Sequence, residues 1–118
     1  MIDAASAYCL SAHIADVLDP ADYEPIFADA VPDQDSRSYW NAAASVLNDI
    51  FQRDGEIHAS QFRYVAKVYP ERVTVEEADE VWSSVSPEAR VFWFGAALAV
   101  NALAEQGPRV HTAIRPSR

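Results

Sequence analysis

Cys9, His13 and Asp16 follow one another at spacings of four and three residues. On a helix that spacing puts all three side chains on one face. A cysteine beside a histidine can become a thiolate nucleophile, and Asp16 is placed to orient His13. This set defines an enzyme reading, a small hydrolase or transferase using Cys9 and His13. Against it, no glycine-rich turn or oxyanion hole accompanies the three residues, and nucleophilic triads draw their members from separate elements around a pocket. A metal site would need more converging ligands. The plainer expectation is a helix surface, opposite a stripe of Ala7, Leu10, Ile14, Val17 and Leu18, that a neighbour covers.

A second group is acidic. Asp19, Asp22, Glu24, Asp29, Asp33 and Asp35 fall within seventeen residues that hold no Lys or Arg. Nothing in their spacing fixes the geometry that a hard cation demands. They are placed to meet a basic protein partner, which would relieve their mutual repulsion and associate faster through long-range attraction. The ordinary alternative is a solvated surface that keeps the protein soluble.

Other candidates fall away on inspection. Asp54-Gly55-Glu56-Ile57 has the glycine turn and the apolar residue of a calcium-binding loop. Aligned on Gly55, however, three ligand positions hold Ile50, Gln52 and Gln61, so no calcium is expected. His58 and His111 are isolated. No phosphate loop, zinc-cysteine pair or serine elbow is present. Neither a cofactor nor a metal is expected.

The elements that must carry these groups are helical almost throughout. Asp3 caps a first helix over 4–18. Asp19-Pro20 opens a short acidic segment, which Tyr23, Ile26 and Phe27 pin to the core. A long helix follows over 37–53, capped by Asp35 or Ser36, with Tyr39, Trp40, Ala43, Val46, Leu47, Ile50 and Phe51 on its apolar side and Asn48 on the other. Asp54-Gly55 ends it. A helix over 59–69 turns Phe62, Val65, Val68 and Tyr69 inward. Thr74 and Glu77 have the spacing of a capping box for a helix that buries Ala78, Val81, Trp82 and Val85. The last helix opens at Ser86-Pro87-Glu88 and stops at Gly107-Pro108. Glu56-Ile57-His58 and Arg72-Val73-Thr74 are long enough only for a minimal two-stranded pairing.

Residues 91–104, VFWFGAALAVNALA, are apolar or glycine except Asn101. A membrane span needs about 20 apolar residues, so no membrane crossing is expected. A helix apolar on all sides is buried. The expectation is therefore an all-α single domain, 1–106, of about five helices packed round this one, followed by a basic tail, 107–118. Gly95, Ala99 and Ala102 form a small-residue stripe for close approach of a neighbour. If one side stayed open, it would serve a homodimer, and the protein would be the structural subunit of a homo-oligomer. Asn101, if buried, needs a partner.

Length, charge and cysteine content agree with this. At 118 residues the chain is one domain. Its net charge of −9 argues against direct nucleic-acid binding, which needs Lys and Arg. The imbalance lies in residues 1–54, with ten acids against two bases. A lone cysteine and no early basic residue lead to the expectation of a reducing, cytoplasmic setting. Eight Arg against one Lys, with 21 Ala, point to GC-rich coding of a bacterial or phage kind. No internal repeat or low-complexity run stands out. The functional expectation is a non-enzymatic acidic protein-binding module acting on a basic protein: an inhibitor, an immunity protein, an adaptor or chaperone, or a mimic of nucleic-acid charge.

Overall fold

Asp3 opens the fold as expected, its carboxylate accepting from the Ser6 N–H at 2.8 Å. The computed structural model describes residues 1–12 and 19–114, with side chains to residue 106. Its helices are α1 (Ala4–Ala12), α2 (Tyr23–Ala30), α3 (Gln34–Asp54), α4 (Ala59–Lys67), α5 (Val75–Trp82) and α6 (Pro87–Ile114), with a 3-10 turn at Pro20–Asp22 before α2. No strand occurs among the described residues. The protein is all-α and forms a single domain.

The two segments long enough only for a minimal pairing form no strand and are held by side chains. Ile57 donates its N–H to Asn101 Oδ1 at 2.7 Å and accepts from Asn101 Nδ2 at 2.8 Å. The Val73 carbonyl accepts from the buried Gln61 Nε2 at 2.9 Å. A side-chain amide copies one rung of a sheet here, so no strand is required.

The centre is not the apolar C-terminal helix. It is α1 with α4: α1 packs against α2, α3, α4 and α6, and α4 against α1, α3, α5 and α6. The reason is residue size. Ala5, Ser6, Ala7, Cys9, Leu10 and Ser11 are all buried, and such small side chains let neighbours close round α1 on every side. Among its residues to 106, α6 buries only Trp93, Ala96, Ala97, Val100 and Ala104, on its inner side. Val91, Phe94 and Leu98 stay 71%, 55% and 76% exposed. Apolar residues on all sides did not mean burial on all sides.

Smaller departures have local causes. α3 starts at Gln34, because Asp33 rather than Asp35 or Ser36 is the cap, accepting from Ser36 N–H at 2.9 Å. α4 ends at Lys67, which leaves Val68 and Tyr69 exposed rather than inward. α6 runs past Gly107-Pro108 to Ile114; proline removes one helical hydrogen bond without forbidding the next turn. The Thr74–Glu77 capping box and the left-handed Gly55 (φ 79°) after α3 are as expected.

The structure also reveals a repeat. α1–α2–α3 and α4–α5–α6 follow one plan. Asn48 brackets the Ile2 backbone through N–H and C=O (3.0 and 2.8 Å), as Asn101 brackets Ile57. Each of these asparagines also donates to the carbonyl four residues back, Ala44 or Ala97. Arg37 Nε donates to Val31 O at 2.8 Å with its guanidinium over Phe27; Arg90 Nε donates to Val85 O at 3.0 Å with its guanidinium over Trp82. Asp33 and Ser86 cap α3 and α6 at matching positions. Tyr39-Trp40 and Phe92-Trp93 are matching ring pairs. Asp33, Arg37, Trp40, Ala43, Ala44 and Asn48 thus correspond to Ser86, Arg90, Trp93, Ala96, Ala97 and Asn101, each 53 residues later. Across the halves, α1 touches α6 as α4 touches α3, and α1 meets α4. That is the contact pattern of a pseudo-twofold.

Candidate functional site

The acidic segment is an ordered surface. Tyr23, Phe27 and Val31 are buried beneath it at 7%, 5% and 5% exposure, which fixes α2 against α1. Asp19, Asp22, Glu24, Asp29, Asp33 and Asp35 are all exposed. Two of the six also have a local task. Asp19 accepts from Ala21 N–H at 3.0 Å and starts the 3-10 turn. Asp33 caps α3, and the hydrogen bonds from Ser36 hold its carboxyl below the usual aspartate range. Asp22, Glu24, Asp29 and Asp35 make no cap. Arg37, just beyond the base-free stretch, folds back against Phe27 and the Val31 carbonyl. The surface therefore has a cation at its edge, which reading the segment alone missed.

Cys9 corrects the face argument. It is fully buried, and its thiol donates to the Tyr23 carbonyl at 3.6 Å. Loss of solvent, with Asp3 and Glu24 nearby, pushes the thiol up to about 11. A thiol so placed stays protonated at neutral pH and is out of reach of a substrate. His13 and Asp16, the other two members of that set, lie outside the described residues.

Other places offer less. One depression lies between the end of α3 and the start of α5, lined by Arg53, Arg72, Asp54, Glu76 and Glu77 among others. Arg72 already pairs with Asp49 at 2.7 Å, and Thr74 and Glu77 are engaged with each other in the α5 capping box. The Gly55 turn is a helix junction: its N–H bonds to Phe51 O, and Asn101 occupies the Ile57 backbone. No cluster of metal-ligating side chains occurs among the described residues. No helix among them is long and apolar enough to cross a membrane.

The feature that sequence reasoning placed wrongly is the outer face of α6. Val91, Phe94 and Leu98 lie on it, and an added Cβ at Gly95 would meet nothing within 4 Å. The small-residue stripe therefore admits no neighbour from within the chain at Gly95. Two shallow grooves meet at Leu98, one running toward Phe51 and Ala102, the other toward His58 and Phe94. No family model matches the chain, and no curated protein or solved structure is significantly similar to it.

Proposed function

We propose that the protein is a non-enzymatic binding module that takes a basic protein partner on the acidic surface of 19–35. One observation carries this reading: all six carboxylates are exposed on a segment whose Tyr23, Phe27 and Val31 are buried in the core. A rigid acidic surface meets a partner without first having to be ordered, so less of the attraction is lost on binding. The partner supplies Lys and Arg, and attraction at a distance raises the rate of encounter. The buried thiol of Cys9 supports a role without cysteine chemistry. Inhibitor, immunity, adaptor and charge-mimic roles all use such a surface.

The test is affinity capture from the source cell at low salt, followed by binding kinetics of the captured protein. Binding is expected to weaken as salt rises, mainly through slower association. Changing Asp22, Asp29 and Asp35 to Asn with Glu24→Gln should weaken binding at least tenfold and flatten the salt dependence. Asp19 and Asp33 are left in place because they cap. A captured partner that binds the quadruple variant equally well would refute the acidic surface as its site.

A further inference from the structure

The pseudo-repeat supplies an internal control for the outer face of α6. Positions 91, 94 and 98 of α6 correspond to 38, 41 and 45 of α3. Those residues are Ser38, Asn41 and Ser45, and all three are exposed. The same place in the same plan is thus open to solvent in both halves, polar in one and apolar in the other. Phe94 packs edge-on against Trp82 of α5 at 5.7 Å, whereas Val91 and Leu98 are mostly exposed. Val91, Phe94 and Leu98 leave on the order of 350 Å² of apolar surface open, which is patch-sized for a small protein.

We propose that this face is the interface of a homodimer, occupied by a second copy of the chain with its α6 running antiparallel. The order of side chains along the stripe argues for that occupant. Val91, Gly95, Leu98 and Ala102 follow at spacings of four, three and four, the seam of a two-helix contact. Large and small alternate along it. A twofold axis level with the Ala96–Ala97 peptide sets Leu98 of each copy over Gly95 of the other, and Val91 over Ala102. The same axis sets Phe94 over Ala99. Every bulky side chain meets a small one, which is the self-complementarity that a twofold interface requires. A parallel pairing would set large on large and leave a hole at glycine. The open space above Gly95 is the hole into which Leu98 of the second copy fits.

A specific interface covers about 800 Å² per partner, so the stripe is its centre and the grooves that meet at Leu98 are its margin. Each copy carries a charge of −9, so the two copies repel one another. Dimerisation is therefore expected to strengthen as salt rises, opposite in sign to capture of a basic partner. That difference separates the two surfaces experimentally.

The test is sedimentation velocity of the full chain from 1 to 200 µM (roughly the range for interfaces at the small end) at low and high salt. A concentration-dependent dimer is expected, tighter at high salt. Leu98→Glu and Val91→Lys should each weaken it by at least tenfold while leaving the melting curve of the monomer unchanged, because both side chains are mostly exposed. Ser45→Glu, the matched change on α3, should leave it intact. Register is read from the double variant Val91→Cys/Ala102→Cys, which oxidises to a covalent dimer if the helices are antiparallel, whereas Val91→Cys alone does not. A wild-type chain monomeric at the highest concentration and salt would overturn the proposal, as would a dimer indifferent to Leu98→Glu. In the first case the α6 face belongs to a different protein.

Discussion

α3 and α6 are the same helix used twice, with opposite outer faces. Their inner faces agree: Ala43, Ala44 and Leu47 on one and Ala96, Ala97 and Val100 on the other are buried against the central pair α1 and α4. Asn48 and Asn101 hold Ile2 and Ile57 in the same way. Outside, Ser38, Asn41 and Ser45 stand where Val91, Phe94 and Leu98 stand. The inner faces share what the fold requires, and the outer faces are where polar residues on α3 give way to exposed apolar ones on α6. One half of this chain thus serves as the reference for the other.

The largest expected effect tests the two sides of α6 against each other. Trp93 is 5% exposed and stacks edge-on with Phe62 at 5.5 Å. Trp93→Ala should cost about 3–5 kcal/mol in urea unfolding. Leu98→Ala, on the open side, should change monomer stability by less than about 0.5 kcal/mol. Trp40→Ala, the partly buried counterpart on α3, should fall between them. A large cost at Leu98 in the monomer would mean that α6 is enclosed after all, and the contrast between the halves would fail.

How much of this was legible in the sequence follows from the same contrast. Helix number and kind were readable because caps are local: Asp3, Thr74 with Glu77, and Gly55 act within a few residues. The position of α6 was not, because a helix's own pattern says which sides are apolar and not which are covered. Cys9 was misplaced for a related reason. A face of small residues reads as surface, yet small residues are what let α1 sit among four neighbours. The repeat stayed hidden because its signal is carried by scattered residues. Arg, Trp, Ala-Ala and Asn recur at an offset of 53 between α3 and α6, while Ile2 and Ile57 differ by 55. The caps change type, from Asp3 to His58 and from Asp33 to Ser86. The acidic surface was legible as charge; that Asp33, rather than Asp35 or Ser36, caps α3 became visible only with the backbone.

The next effect sharpens the equivalence. Asn48→Ala and Asn101→Ala each strip both hydrogen bonds from the backbone of a buried isoleucine. Each should cost about 1–3 kcal/mol, the penalty of polar groups left unpaired away from water. Similar losses at the two sites would support one plan used twice. A cost confined to Asn101 would mean that the Ile2 contact is not its energetic equivalent.

The smallest effect concerns the place where the central helices differ in chemistry. Cys9 on α1 corresponds to Tyr64 on α4, at the same offset as Ile2 and Ile57. The Cys9 thiol is raised to about 11 in the folded protein against 9.0 when exposed. A group whose folded value lies above its unfolded value contributes stability that is complete below the unfolded value. That stability is lost as pH rises toward the folded one, because the unfolded chain releases its proton first. The domain should therefore lose stability from about pH 9 upward. Tyr23 and Tyr39 are also raised by burial, but they act only above about pH 10, the ordinary tyrosine value. Melting temperatures between pH 9 and 10 thus report mainly on Cys9. Cys9→Ala should flatten the curve in that window, whatever it does to stability at pH 7, because it removes the titrating group and leaves both tyrosines. An unchanged slope would mean that the thiol ionises without penalty, and that the space around α1 admits water where the packing of small residues should exclude it.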